Sequence, residues 1–130
     1  MKDTELIDAA RKASALAKAE YSGFKVGAAI LCADGEVFTG CNIESSSYSL
    51  TVCAERVALW KALSEGAEEF IRIAVVTGNE KPTAPCGACR QVLWDFAPKI
   101  EVIMAGTSAE TIVRKLADIF PLPFDKKELE

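Results

Sequence analysis

Apolar runs of strand length alternate with segments of helical periodicity along this chain, and that alternation constrains the fold most. The strand-like runs lie at 25–33, 36–42, 70–78 and 100–106, and the helix-like segments at 4–20, 52–65, 86–97 and 108–120. The predicted order is αββαβαβα. Strand–helix–strand alternation favours right-handed crossovers in a mostly parallel sheet, to which the first hairpin adds an antiparallel strand. We therefore predict an α/β protein with three layers, α/β/α, around a mixed sheet of about five strands.

The composition favours one cytoplasmic domain spanning residues 1–130. Half of the residues are hydrophobic and 26% are charged, and no repeat or low-complexity linker divides the chain. The net charge of −4 provides no basic surface for nucleic acid. No apolar run approaches the ~20 residues of a membrane helix, and the acids near the N-terminus do not resemble a signal peptide. We therefore expect neither a nucleic-acid nor a membrane partner.

The dipeptide Asp34-Gly35 predicts the turn between the first two strands. A two-residue loop would place Cys32 opposite Val37 and Cys41 opposite Ala28. The two cysteines would then not pair, and we interpret them as small strand residues of the core. The chain has five cysteines, so three remain to be explained.

Cys86 and Cys89 are separated by two residues at the start of a predicted helix. At this spacing both sulfurs can bind one metal ion, and the free amides of a helix start favour thiolates. The pair taken alone is ambiguous: it could be a metal site, a redox motif or a chance occurrence, in that order of preference.

Cys53 lies at the start of the other predicted crossover helix. Crossover helices of a parallel sheet begin at the same sheet edge, so the three cysteines can converge there. The chain contains no histidine. Three protein ligands with one open position are typical of catalytic zinc, whereas structural zinc sites are closed by four. We therefore predict one zinc ion bound by Cys53, Cys86 and Cys89.

Glu55 follows Cys53 by two residues. An acid in a first helical turn can simply be stabilised by the helix dipole. Helical spacing, however, places Glu55 on one face with the apolar residues Val52, Leu59 and Ala62. Desolvation there would raise its pKa toward neutrality, as suits a proton shuttle. We favour this catalytic interpretation.

Arg56 lies three residues after Cys53, within reach of its sulfur. It could be an ordinary solvated arginine. We favour a role in the surroundings of the metal, because three thiolates on Zn²⁺ leave a net charge of −1 that a guanidinium would partly cancel.

The motifs CAE and PCGAC match the zinc deaminase signature, including its three-cysteine variant. With YSGFKVGAAI, GCNIESSSYS, CAERVAL, APCGACRQVL and FPLPF, the chain resembles the zinc-dependent cytidine deaminases of the short-chain, homotetrameric type. The resemblance spans about 21–124. It implies hydrolytic deamination of cytidine and 2′-deoxycytidine in pyrimidine salvage, with one zinc per chain and Glu55 moving protons to the ring nitrogen and to departing ammonia.

The resemblance also implies substrate contacts. Asn42 and Glu44 match the pair that hydrogen-bonds the ribose 3′-hydroxyl. Phe24 matches a ring that packs near the ligand, and the backbone of Ala54 matches a contact to the pyrimidine. Without the resemblance, Asn42 would be interpreted as a turn residue and Phe24 as an ordinary aromatic.

Tyr48 and Phe124 match residues that reach into the site of a neighbouring subunit, so the resemblance implies that the homotetramer is the active form. Two positions depart from the family pattern. Ser45 stands where asparagine is usual, which affects loop rigidity or sugar affinity. Ala84 stands where serine is common, and neither change involves the metal or the proton shuttle.

Two alternatives stay open at this stage. The substrate could be another cytosine nucleoside, such as blasticidin S, although Asn42 and Glu44 favour an ordinary ribose. A non-catalytic, zinc-stabilised domain that binds nucleosides would instead have a fourth protein ligand closing the metal site.

Overall fold

The five strands form one sheet in the order β2-β1-β3-β4-β5. The computed structural model describes all of residues 1–130, with helices and strands in the order αββαβαββα. The helices are α1 (Asp3–Ser14), α2 (Ala54–Ser64), α3 (Gly87–Phe96) and α4 (Leu116–Ile119). The strands are β1 (Val26–Cys32), β2 (Val37–Cys41), β3 (Phe70–Thr77), β4 (Glu101–Ala105) and β5 (Thr111–Lys115).

The three-layer prediction is confirmed. Alternate side chains of the central strands point to opposite faces of the sheet, so each face has its own apolar cluster. Helix α1 covers one face, where Leu6 and Ala10 lie in a cluster with Ala29 and Leu31 of β1. Helices α2 and α3 cover the other face, where Leu59 and Leu93 share a cluster with β1 and β3. None of the helices has both the length and the apolar character needed to span a membrane.

The expectation of a mostly parallel sheet is wrong. Only β3 and β4 pair in parallel, while the β1–β2, β1–β3 and β4–β5 pairs are antiparallel. The crossover from β2 through α2 to β3 does join strands of the same direction, but β1 lies between them. Strand β1 of the first hairpin is therefore the antiparallel strand, and it lies inside the sheet between β2 and β3 instead of at an edge.

The predicted register of the first hairpin is off by one residue. Leu31 faces Val37 and Gly27 faces Cys41, and the Cys32 N–H donates to the Glu36 carbonyl, so the loop has three residues, 33–35, instead of two. Gly35 adopts φ +94°, the left-handed conformation that completes a three-residue hairpin loop. Cys41 still lies away from Cys32, and both are free thiols.

The first helix is shorter than the predicted segment 4–20. It begins at Asp3, where the Glu5 carboxylate accepts from the Lys2 N–H at 3.0 Å, and it ends at Ser14. Beyond it, the Lys18 N–H donates to the Asn42 carbonyl and the Lys18 carbonyl accepts from Glu44, at 2.9 Å each. These tertiary bonds draw the chain away from the helix although its periodicity continues.

The predicted helix 108–120 is wrong over its first half. Residues Thr111–Lys115 form β5, and only Leu116–Ile119 are helical. The β-branched run of Thr111, Ile112 and Val113 suits a strand, and Ile112 and Val113 pack on opposite faces of the sheet. Pairing with β4 therefore prevails over the helical pattern.

Helix α2 lies in direct contact with β2 at Gly40. A Cβ atom at this position would lie 2.5 Å from the Ala58 nitrogen and 2.6 Å from the Ala54 carbonyl oxygen. Both atoms belong to the backbone of α2, so a side chain could be accommodated only if the helix moved. Gly40 therefore sets the position of α2 on the sheet.

Gly40→Ala should lower the free energy of unfolding by about 1–3 kcal/mol, since it overpacks the contact between β2 and α2. Urea denaturation measures the effect. Gly78→Ala is the matched control, because a Cβ there has no atom within 4 Å. Equal effects of the two substitutions would contradict this assignment of the close contact.

Candidate active site

The polar residues singled out from the sequence gather where β2 and β3 end and α2 and α3 begin. Strands β2 and β3 run in the same direction, so their carboxyl ends meet at one edge of the sheet. Cys53 immediately precedes α2, and Cys86 immediately precedes α3. The structure therefore brings the starts of both crossover helices together, as ligand sites in open α/β sheets require.

Three sulfur atoms converge between these helix starts. The Cys53 and Cys86 sulfurs are 3.7 Å apart, and those of Cys86 and Cys89 are 3.5 Å apart. All three lie within 4.8 Å of one another. Cys53 has extended backbone angles, φ −74° and ψ 154°, so its side chain is not bound by helical geometry and can turn toward the α3 cysteines.

The electrostatics around the sulfurs favour thiolate at Cys53. Hydrogen bonds from the Cys89 thiol and the Arg56 guanidinium lower the pKa of Cys53 to about 5, although burial opposes them. The Arg56 Nη2 donates to the Cys53 sulfur at 3.3 Å. The same guanidinium lies 5.9 Å from the ring centre of Trp60. Arg56 is therefore anchored next to the sulfurs instead of extending into solvent.

The three cysteines suit a single zinc ion. Thiolate sulfurs are soft ligands that zinc prefers, and three of them leave one coordination position open. The free N–H groups at the two helix starts and the guanidinium of Arg56 supply positive charge next to the thiolates. The donor set and its surroundings therefore fit the metal.

Glu55 lies in the first turn of α2 and is only 4% exposed. Burial, with a smaller contribution from the nearby Cys53, raises the pKa of Glu55 to about 7. Leu59 and Ala62, predicted on the same helical face, are fully buried. An acid in this environment can hold or release a proton near neutral pH.

A pocket of about 340 Å³ is lined by Cys53, Cys86 and Glu55. Its wall includes four of the residues assigned to the substrate by resemblance, namely Phe24, Asn42, Glu44 and Ala54. Ala54 is the first residue of α2, so its N–H has no acceptor within the helix. The pocket thus has an apolar wall, free polar groups and the titratable cluster at one place.

Asn42 and Glu44 belong to one hydrogen-bond network. The Asn42 Nδ2 donates to the Phe24 carbonyl at 2.8 Å, and its Oδ1 accepts from the Val26 N–H at 2.8 Å. The Glu44 carboxylate accepts from the N–H groups of Tyr21 and Ser22, and from the hydroxyl of Ser22. Asn42 directly follows β2 and does not lie in a turn, so it acts as a tertiary link to the start of β1.

Tyr48 and Phe124 do not lie in the pocket of their own chain. Tyr48 is 74% exposed and contacts the ring of Tyr21 edge-on, with ring centres 5.8 Å apart. Phe124 is 57% exposed, and its carbonyl oxygen accepts from the Gln91 side chain of α3 at 2.7 Å. Both side chains are therefore exposed and lie outside the wall of the pocket within the same chain.

Ser45 and Ala84, the two residues that depart from the family pattern, both lie in loops. The Ser45 N–H donates to Thr51 Oγ1, and its hydroxyl accepts from the Ser47 N–H, each at 3.0 Å. Ala84 lies in the pocket wall with its neighbour Thr83. Ser45 thus supplies a local hydrogen bond of its own to the loop.

Sequence reasoning missed several residues of this region. Thr77 and Thr83 line the pocket, and Arg90 donates to the carbonyls of Pro85 and Ile119 at 2.8 and 3.0 Å. Ser22 contacts Glu44. None of these has a distinctive spacing, and only the position of Ser22 beside Phe24 in the YSGF motif could have drawn attention to it.

Comparisons with known proteins agree with this geometry. The sequence model of the family described as "Cytidine and deoxycytidylate deaminase zinc-binding region" matches residues 1–106. The cytidine deaminase of Sporosarcina psychrophila is 46% identical over 129 residues, covering 96% of this chain and 93% of the relative. A blasticidin-S deaminase of Bacillus cereus is 32% identical over 124 residues, 88% of each chain.

A crystal structure of cytidine deaminase from Burkholderia pseudomallei superimposes with a TM-score of 0.92 at 46% identity. The match covers 95% of this chain and 100% of that one. Because the family model spans most of the sequence and the relatives match it over nearly their whole length, this chain belongs to the family of zinc-binding cytidine and deoxycytidylate deaminases.

Proposed function

We propose that this protein hydrolyses cytidine and 2′-deoxycytidine to uridine and 2′-deoxyuridine, with release of ammonia, in pyrimidine salvage. The observation that supports this most strongly is the cluster of three cysteine sulfurs at a pocket that is lined by Cys53, Cys86 and the buried Glu55. The names of the matching relatives point to the same reaction. Thiol ligands need a reducing compartment, which supports a cytoplasmic location.

The chemistry follows from what the residues can do. Zinc, when held by the three sulfurs, supplies an activated water as the nucleophile for C4 of the pyrimidine. Glu55 would take one proton from the attacking water and give it to N3 of the ring. It would then take the remaining proton of that water, by then the hydroxyl on C4, and pass it to the departing amino group. Water and cytidine are thereby converted to uridine and ammonia, and Glu55 ends in its starting protonation state.

The other pocket residues bind and orient the nucleoside. Asn42 and Glu44 receive the ribose 3′-hydroxyl, Phe24 packs against the ligand, and the free N–H of Ala54 contacts the pyrimidine. Arg56 offsets the excess negative charge of three thiolates on Zn²⁺. An ordinary ribose suits Asn42 and Glu44, so cytidine is proposed ahead of blasticidin S.

We propose a homotetramer as the active form. Ile43, Leu50, Val52, Val57 and Trp60 line an apolar groove of about 420 Å³ on the surface of one chain. A second copy of the chain is the proposed occupant, because Ile43, Leu50 and Trp60 of the groove are exposed, as are the aromatic side chains of Tyr48 and Phe124 outside it. In such an assembly, Tyr48 and Phe124 complete the pocket of a neighbour instead of their own.

Glu55→Gln should lower deamination of cytidine about a hundredfold to ten-thousandfold, because the amide cannot transfer protons. The fall in cytidine absorbance measures turnover, and metal analysis verifies that zinc is retained. Glu65→Gln, at the far end of the same helix, is the matched control. The proposed function fails if wild type does not turn over cytidine, or if Glu55→Gln does so at the normal rate. Assaying blasticidin S with the same preparation tests the alternative substrate.

Metal analysis of purified wild type should give one zinc per chain. Cys86→Ser should lose most of that zinc, because two sulfurs cannot replace the three-sulfur set. Cys41→Ser should retain it, since Cys41 lies on β2 away from the cluster. Full zinc content in Cys86→Ser would contradict the assignment of ligands.

Phe124→Ala and Glu55→Gln should complement each other when the two chains are co-assembled. Each variant alone should be impaired. In a mixed assembly, however, the pocket of a Phe124→Ala chain has its own Glu55 and receives Phe124 from a Glu55→Gln neighbour. Random assortment should restore about a quarter of the wild-type activity.

The control for complementation mixes Glu55→Gln with Cys86→Ser. Both of these defects lie in the pocket of their own chain, so no intact site can form. An absence of recovery in the first mixture would contradict the shared site, and light scattering on the same samples reports the number of chains in the assembly.

A further inference from the structure

We propose that Ser22 is a positioning residue for sugar recognition, whose hydroxyl holds the Glu44 carboxylate in the orientation that receives the ribose 3′-hydroxyl. The inference rests on the proposed function, because it takes Glu44 as a sugar contact. Ser22 and Glu44 both line the pocket.

Three of the four hydrogen bonds to the Glu44 carboxylate come from the neighbouring residues Tyr21 and Ser22. Its Oε1 accepts from the backbone N–H groups of Tyr21 and Ser22, each at 3.0 Å. Its Oε2 accepts from the Ser22 hydroxyl, while Asn42 Nδ2 lies at 3.5 Å. Ser22 therefore contacts both carboxylate oxygens, one through its main chain and the other through its side chain. Two such contacts fix the plane of the carboxylate.

The direction of the Ser22 hydroxyl is itself fixed. The Phe24 N–H donates to Ser22 Oγ at 3.0 Å and occupies one of its lone pairs. A serine hydroxyl has one hydrogen to donate, and the Glu44 oxygen receives it. Asn42 joins the same network through its 2.8 Å bond to the Phe24 carbonyl. Ser22, Glu44 and Asn42 are consequently positioned as one unit.

The same donors keep Glu44 ionised. The Ser22 hydroxyl, followed by the Ser22 N–H, lowers the pKa of Glu44, since hydrogen bonds to a carboxylate stabilise its charged form. An ionised carboxylate only accepts hydrogen bonds, which matches a sugar hydroxyl acting as donor.

Removal of the hydroxyl would leave the backbone bonds at Oε1 in place. Oε2 would then retain only the 3.5 Å approach of Asn42, and the carboxylate could rotate about its remaining anchor. The hydrogen bonds of Ser22 go to Glu44 and Phe24, and none joins it to the metal ligands or to Glu55. The loss should therefore affect nucleoside affinity and leave the chemical step nearly unchanged.

Steady-state kinetics of Ser22→Ala test the inference. KM for cytidine should rise about tenfold, as expected for loss of a hydrogen bond to a charged group, while kcat changes less than about twofold. With 3′-deoxycytidine, as substrate or as competitive inhibitor, wild type and Ser22→Ala should behave alike. Ser22→Thr keeps a hydroxyl and should restore KM toward the wild-type value.

Ser108→Ala is the matched control. Its hydroxyl accepts from the Glu110 N–H at 3.3 Å, the same contact to a residue two positions on, but it holds no carboxylate. An unchanged KM in Ser22→Ala would overturn the inference, as would equal losses for cytidine and 3′-deoxycytidine. If wild type does not turn over cytidine, the proposed function and the inference both fail. If wild type turns over cytidine normally and the KM of Ser22→Ala is unchanged, the inference alone fails.

Discussion

The site depends on one packing constraint, the convergence of the starts of α2 and α3 at a single sheet edge. The contact of Gly40 with the backbone of α2 sets one helix, and the end of β3 sets the other. Only with both in place do the sulfurs of Cys53 and Cys86 approach to 3.7 Å. Closely spaced thiolates repel one another, so this arrangement is stable only with compensating positive charge, which the helix starts, Arg56 and a bound metal supply.

Glu55 illustrates how this convergence changes the properties of a residue. On its own helix it is an acid in the first turn, which the helix dipole favours by about 0.3–1 kcal/mol. The surrounding fold buries it to 4% exposure and raises its pKa to about 7, which opposes ionisation. Such a conflict between local preference and tertiary environment is expected at functional sites and seldom elsewhere.

The quality of the sequence-based predictions follows the strength of the local signal. The runs 70–78 and 100–106 are continuous apolar segments, and β3 and β4 occupy nearly the same residues. The segment 108–120 has both helical spacing and a β-branched run. Its first half becomes strand β5 because it can pair with the otherwise unpaired edge of β4. The observed register of the hairpin differs from the predicted one by one residue, because Asp34-Gly35 indicates a turn but does not fix whether its loop has two or three residues.

The sequence by itself determined the chemistry of the site: which residues can bind a metal and which acid stands beside them. These properties follow from residue type and spacing, which are local. The tertiary structure decided that β1 separates β2 from β3, that Ser22 and Asn42 hold Glu44, and that Tyr48 and Phe124 are exposed outside the pocket of their own chain. These features depend on contacts between segments far apart in the chain, whose register and approach are set by side-chain packing and backbone hydrogen bonds that no local pattern specifies.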